Sequence, residues 1–376
     1  MLFFGKINVR ILLIIQKHPH MKTEKIMYDN GFYGQGGPSI YDNLMCKEAK
    51  KTFSRFALAL FFYLLIGNIA AVVIQAVIIG VLGTERALVF LSDAVPALII
   101  GSIPMYIISL PVLYFIVKPM PSRRREKAKM PVAELLLIFL AMEACGTIGN
   151  TFGNLLNNFI SAFLGKEIDN STIELVLNSP VWLVFLIVVV IGPIVEEFIF
   201  RKLLIDKVSK YGDVLAIALS AVAFGLFHGN LYQFFYSAMI GAIFAYVYVK
   251  SGNWLYPVIL HIAFNFFGSF IPMLLTDSAV YITEAMEIIA EGGTVEFGKY
   301  FTHILLYASY VVIQYAMAIA GLVILISAIK KKRLAIKDNR EACIPQGKAF
   351  ACAVGNLGGI LFLIFTIFTF ILNIIV

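Results

Sequence analysis

The stretch GPIVEEFIFRKLL, residues 192–204, sets two adjacent glutamates into an otherwise apolar run. An ionised carboxylate inside hydrocarbon costs roughly 2.5–3.5 kcal/mol even on the mildest insertion scales, so each needs a reason to be there. Glu197 and Arg201 stand four residues apart and can pair across one helical turn, whereas Glu196 lies about 100° further round and points elsewhere. One carboxylate is then neutralised by a structural partner and the other is left for chemistry. Two histidines lie in or at the ends of nearby apolar runs, His228 in AFGLFHGN and His261 in YPVILHIAFN. Asn265 follows His261 by one turn, and Phe224 precedes His228 by the same spacing. A lone imidazole in an apolar helix is more often a packing residue, but two of them close in sequence to a glutamate pair favour function. Neutral imidazole is a preferred zinc ligand, and a carboxylate beside an activated water can act as general base. These residues therefore point to hydrolysis of a carbonyl. Glu196 would take the proton of the attacking water, Arg201 would hold Glu197, and Asn265 would stabilise an oxyanion or hold a ligand. His228 and His261 are the candidate ligands of a Zn2+ ion. The elements come from three separate segments, so the HExxH arrangement of soluble metalloproteases is absent.

Whether those groups can meet depends on depth. KYGD, around Tyr211 and Gly212, reads as a hairpin turn. Glu196 lies 15 residues before Tyr211 and His228 lies 16 after Gly212, which puts them at nearly equal height in an antiparallel pair rising about 1.5 Å per residue. His261 is only nine residues past Gly252 and should sit nearer that end. Bringing all three together requires either a polar 201–213 segment that projects beyond the bilayer or strongly tilted helices.

The composition defines the setting. Of 376 residues, 60% are hydrophobic and 14% charged, and the mean hydropathy is +0.88. Soluble domains are nearer half apolar and a quarter charged, so the chain is an integral membrane protein. Its net charge of +7 is no sign of nucleic-acid binding, because the Lys and Arg residues form short clusters beside apolar spans, where they act as topology signals. Spans need about 20 apolar residues, and nine segments qualify: 55–82, 94–117, 132–155, 181–203, 213–229, 231–250, 254–275, 300–329 and 349–375. KEAKK, KPMPSRRREKAK, RKLLIDKVSK, Lys250 and KKKRLAIK then fall on one side, while the 277–299 loop is acidic. That alternation predicts an all-α polytopic bundle of eight or nine transmembrane helices in the cell membrane, with a cytoplasmic N-terminus. Residues 1–50 read as a disordered cytoplasmic tail that includes His18 and His20, residues 51–130 as two leading helices and a basic loop, and residues 276–376 as the acidic external loop and two last helices. The four cysteines, Cys46, Cys145, Cys343 and Cys352, show neither metal spacing nor a disulfide pattern.

The three motifs occur in a recognisable order. EEFIFR fits an EExxxR pattern, FGLFH an FxxxH pattern and HIAFN an HxxxN pattern. The sequence resembles the CAAX-protease and bacteriocin-processing family, also called Abi or CPBP, which includes the type II CAAX prenyl endopeptidases. The resemblance covers about residues 131–275. It implies a polytopic helical core with the motif residues around an intramembrane cavity, and peptide-bond hydrolysis with Glu196 as the glutamate that activates water. Glu197, Arg201, His228, His261 and Asn265 belong to the same motifs. Whether the mechanism is metallo- or glutamic-type is left open by the resemblance.

The function expected is therefore an intramembrane endopeptidase acting on a peptide or protein with an apolar or lipidated segment, among membrane lipids and without nucleic acid. Bacteriocin processing or self-immunity is the favoured context, given an Ile-, Phe- and Lys-rich composition of low-GC bacterial type. Two alternatives compete with it. One is a catalytically silent immunity or binding protein on the same scaffold. The other is a proton-coupled transporter in which Glu143 joins Glu196 and the histidines in a relay. The simpler expectation for Glu143 is a polar bridge to Asn150, Asn154 or a neighbouring helix.

Overall fold

The computed structural model describes residues 40–168, 170–336, 340, 342, 344 and 347–375. Among the described residues every regular element is a helix. In chain order these are α1 (Ile40–Leu82), α2 (Thr84–Ser92), α3 (Ala94–Val117), α4 (Val132–Leu164), α5 (Ser171–Asn178), α6 (Val181–Tyr211), α7 (Asp213–Phe227), α8 (Leu231–Ser251), α9 (Leu255–Leu274), α10 (Thr276–Ala290), α11 (Phe297–Lys330), α12 (Ala349–Ala353) and α13 (Leu357–Ile375). Among the described residues, eight helices are long and apolar enough to cross a membrane. The all-α polytopic architecture expected from composition is the one observed.

The differences from expectation lie at the edges of elements. The 213–229 segment becomes α7, an apolar helix of 15 residues, which rises about 22 Å against a hydrocarbon core of about 30 Å. The segment is as apolar as the others but stops short. The 349–375 segment divides into α12 and α13 because Asn356 interrupts it: its amide donates to the carbonyls of Cys352 and Ala353, and its Oδ1 accepts from Gly359 N at 2.9 Å. Residues 40–50, read from sequence as tail, are already the first turns of α1. His18 and His20 lie outside the described residues. The 277–299 loop contains α10.

α6 is the axis of the bundle, with more of its apolar stretch buried than any other span, while α11 lies at the periphery and turns most of its surface outward. The core packs around Ile199, Phe200 and Ile205 of α6 together with Phe224 of α7 and Phe244, Val247 and Tyr248 of α8. Two antiparallel neighbours follow α6 through tight turns. α8 is started by Asn230, whose Oδ1 accepts from Gln233 N at 2.9 Å, a side-chain cap for an otherwise orphaned amide. The basic loop 118–131 is pinned across the ends of these helices. Arg123 N donates to Asp206 O and Ala128 N to Ser251 O, each at 2.8 Å, and Arg125 pairs with Asp213 at 2.5 Å.

Where helices have no aqueous hydrophobic effect to drive them together, close backbone approach does the work. Gly149 of α4 shows this, since a Cβ there would lie 2.5 Å from the Tyr236 Cα on α8. The obstacle is backbone and cannot swing away. Gly149→Leu is expected to force α4 and α8 apart, at a cost of about 1–3 kcal/mol or more for overpacking, read as a lower unfolding temperature in detergent; an unchanged unfolding temperature would show that this crossing is not as tight as described.

Candidate active site

α6 carries both glutamates at a place where its backbone is irregular. Residues Gly192–Glu197 are α-helical, but they are flanked by π-helical turns at Phe185–Ile191 and Phe198–Ile205. Two further π turns, Met105–Ser109 in α3 and Phe266–Phe270 in α9, face the same interior. All four contribute to or adjoin one cavity of about 180 Å³, lined by Tyr106, Val188, Ser269 and the site residues Glu196, His228, His261 and Asn265. Such turns are frequent at functional sites because they widen the helix and free carbonyls from the i→i−4 ladder. Here Val188 O, inside one of them, accepts from Asn265 Nδ2 at 2.9 Å.

The two glutamates have opposite environments. Glu197 is fully buried and so is Arg201, whose Nε lies 3.0 Å from Glu197 Oε2. The other carboxylate oxygen accepts from His261 Nδ1 at 2.9 Å. The Arg201 guanidinium also donates to Gly241 O at 3.2 Å and lies over the rings of Phe224 and Phe244, 4.5 and 5.1 Å from their centroids, a cation–π arrangement. Gly241 leaves room for this, because a Cβ there would meet the Phe224 ring at 2.9 Å and Arg201 Nη2 at 3.4 Å. Glu196, one residue earlier, keeps 22% of its side chain open to the cavity, and its Oε2 lies 3.7 Å from His261 Nε2. Glu197 is thus buried in an ion pair, and Glu196 is the carboxylate open to the cavity.

Both imidazoles are oriented through Nδ1. His261 gives its Nδ1–H to Glu197, and His228 gives its own to Phe224 O at 2.8 Å. In a neutral ring held this way Nε2 is the unprotonated nitrogen, so fixing one nitrogen determines what the other can do. The rings are also held by packing. Phe244 stacks on His261 at 4.8 Å, and Phe224 stands edge-on to His228 at 4.9 Å and to His261 at 5.7 Å.

All six residues singled out in the sequence converge, but on two sides of one wall. Glu196, His228, His261 and Asn265 line the cavity, while Glu197 and Arg201 lie behind it. His261 reaches Glu197 despite its shorter distance from the turn. α6 runs 31 residues, up to about 46 Å of helix, so its polar 201–211 end has the length to extend past the hydrocarbon, and the π turn at 198–205 reduces the rise between the glutamates and that end. Glu143 is not on the cavity. It is buried between α4 and α11, where Gln314 Nε2 donates to its Oε2 at 2.7 Å. The bridge is to a neighbouring helix, and Asn150 and Asn154 take no part.

Sequence reasoning missed a polar stripe on α8. Gln233, Tyr236 and Ser237 all line the cavity, and Asn230 Nδ2 bonds Gln233 Oε1 at 2.6 Å while Gln233 Nε2 bonds Tyr236 OH at 3.0 Å. Their spacing of three and four in LYQFFYS was the available signal. Tyr106, alone in an apolar span, gave none. As for zinc, a catalytic site supplies three protein ligands and an open position. Among the described residues no three His, Cys, Asp or Glu side chains are grouped to hold a metal ion. The two imidazoles and Glu196 are thus not arranged here as a three-ligand zinc set.

The chain is a multi-pass helical membrane protein with a carboxylate–imidazole cavity inside its bundle. Residues 178–267, which contain all six site residues, match the model of the type II CAAX prenyl endopeptidase Rce1-like family. The match falls on the segment whose three motifs resemble the CAAX-protease and bacteriocin-processing family, and it supports that resemblance. Two curated proteins are similar to part of this chain. YdiL of Bacillus subtilis (strain 168), provisionally named a membrane peptidase, is 30% identical over 105 residues, which are 28% of this chain and 43% of YdiL. The membrane-embedded CAAX protease MroQ of Staphylococcus aureus (strain USA300) is 27% identical over 137 residues, 33% of this chain and 54% of MroQ. The chain thus spans about half the length of the curated relatives it matches. No solved structure matches it.

The buried pair makes a sharp prediction. Arg201→Met leaves Glu197 charged and uncompensated, an expected loss of about 3–5 kcal/mol, whereas Arg201→Met combined with Glu197→Gln should recover much of that stability. Thermal unfolding of the two single variants and the double variant measures the coupling, and strictly additive losses would mean the pair does not act as a unit.

Proposed function

We propose that the chain is an intramembrane endopeptidase in which Glu196 activates water. The observation that carries this is the division of labour between adjacent carboxylates: Glu197 is bound on both oxygens by Arg201 and His261, and Glu196 alone faces the cavity. A water between Glu196 and the imidazole Nε2 atoms can give one hydrogen to the carboxylate and the other to a ring nitrogen, which aims its oxygen at a carbonyl carbon. Glu196 takes the proton as the C–O bond forms, and later returns it to the leaving amine as the C–N bond breaks. The Asn265 amide uses one N–H on Val188 O, and its second N–H is available to the tetrahedral oxyanion. The family match and the two relatives named as peptidase and protease support hydrolysis of a peptide bond. The cavity wall is mixed, with Leu98, Ile187, Val188 and Ile240 beside the polar groups, and this favours a substrate that brings an apolar or lipid-linked segment to the site from the bilayer. Processing of bacteriocin-like peptides, or immunity to them, fits such a substrate.

Comparison of the peptide N-termini in membranes of cells making the wild type or Glu196→Gln tests this reading. The variant is expected to lose the cleavage products by a factor of about 10²–10⁴, the usual contribution of a general base, while it elutes and melts like the wild type. Products that persist in Glu196→Gln would overturn the proposal, and immunity that persists without any products would point to a silent binding scaffold. The same cleavage should proceed in the presence of 1,10-phenanthroline, and elemental analysis should find no stoichiometric zinc. Zinc lost on changing His228→Ala and His261→Ala together would reinstate a metal-centred mechanism.

A further inference from the structure

The cysteines show no pattern in the sequence, but among the described residues two of them form a pair in space. Cys46 near the head of α1 and Cys352 in α12 are 306 positions apart, with their Sγ atoms 3.2 Å from each other. The two segments meet firmly. α12 packs on α1, Gly358 N just beyond it donates to Ser54 Oγ on α1 at 3.0 Å, and Asn356 ties the end of α12 to the start of α13. Cys352 is 1% exposed and Cys46 is half-buried, so one sulfur of the pair is within reach of a water-borne reagent. Lys50 and Lys348 lie close enough to act on the Cys352 sulfur, but burial outweighs their pull. A disulfide holds its sulfurs at about 2.05 Å, so the pair needs to close by only about 1 Å. Cys145, buried in α4, has no such neighbour among the described residues.

We propose that Cys46 and Cys352 are a site of oxidative modification, at which a peroxide converts the two thiols into a disulfide joining α1 to α12. The more accessible Cys46 thiolate attacks one peroxide oxygen. An S–O bond forms, the O–O bond breaks, and the departing hydroxide takes a proton and leaves as water. The Cys352 sulfur then attacks the resulting sulfenic sulfur, the S–O bond breaks, and the hydroxyl leaves as a second water with the thiol proton. Two thiols are oxidised by one peroxide, and a dithiol reductant reverses the product. The order of attack follows from burial, which pushes the Cys352 thiol up to about 11 and suits it to the resolving role. The bond would fasten the last helices of the chain to the first, both outside the matched 178–267 segment.

The test uses the full chain in detergent, treated with hydrogen peroxide, blocked with an alkylating agent and mapped by peptide mass spectrometry. Most of the protein is expected to lose two hydrogens and to yield one linked peptide pair, Cys46 with Cys352, which dithiothreitol separates. The linked pair should be absent in Cys46→Ser and in Cys352→Ser and undiminished in Cys145→Ser. A Cys46 that proceeds to sulfinic acid while Cys352 stays alkylatable would overturn the proposal. So would a link from either residue to Cys343, since the wild-type map alone decides the partner.

Discussion

A guanidinium and a carboxylate that water cannot reach, Arg201 and Glu197, hold the centre of this protein together. Removing two charges from water is expensive, and mutual attraction offsets it only when the remaining donors and acceptors are also met. Here the second carboxylate oxygen bonds His261 on α9, the guanidinium bonds Gly241 on α8, and the ring of Phe224 on α7 covers its face, which leaves Arg201 Nη1 as a buried donor without a hydrogen-bond partner. One ion pair on α6 therefore touches every helix that contributes to the cavity from the second half of the bundle. Displacing any of those helices would strip a partner from a buried charge, so the site geometry and the stability of the core are secured by the same contacts.

The pair also determines which neighbour faces the cavity. Glu196 and Glu197 are adjacent and chemically identical, and nothing in their own bonds distinguishes them. The distinction comes from the helix, which turns one inward to Arg201 and the other to the cavity. His261 spans the two, with one nitrogen on the structural glutamate and the other 3.7 Å from the exposed one. A group that belongs to the scaffold on one edge and to the cavity on the other couples the positioning of the ring to the ion pair. The aromatic packing of Phe244 and Phe224 leaves that ring little freedom to turn.

Much of this was legible because the relevant signals are local. The i, i+4 spacing of Glu197 and Arg201 carried the ion pair, and the three motifs carried all six site residues. The apolar runs carried the bundle, and the 213–229 run was read to within two residues of α7, whose 15 residues make it shorter than the other spans. What escaped the sequence depends on partners far along the chain. Glu143 finds Gln314, 171 positions away, and Cys46 finds Cys352 across nearly the whole chain. The depth of His261 was puzzling for a different reason. Rise per residue was taken as uniform, and the π turns of α6 are not encoded in any pattern of apolar and polar residues.

Those π turns carry a further implication. A π turn accommodates one residue more than an α turn, so everything beyond it is shifted in phase by about 100° around the helix axis. The glutamates of α6 sit between two such turns, and their headings are set by how much of that surplus is absorbed before and after them. A chain with one apolar residue fewer in 185–191 would span the bilayer equally well and keep every motif intact, yet it would rotate both carboxylates relative to the helix upstream. Hydropathy and motif spacing would register no change, while the assignment of buried partner and exposed carboxylate would be lost. In this helix the arithmetic of residue number, as much as residue type, is part of the chemistry.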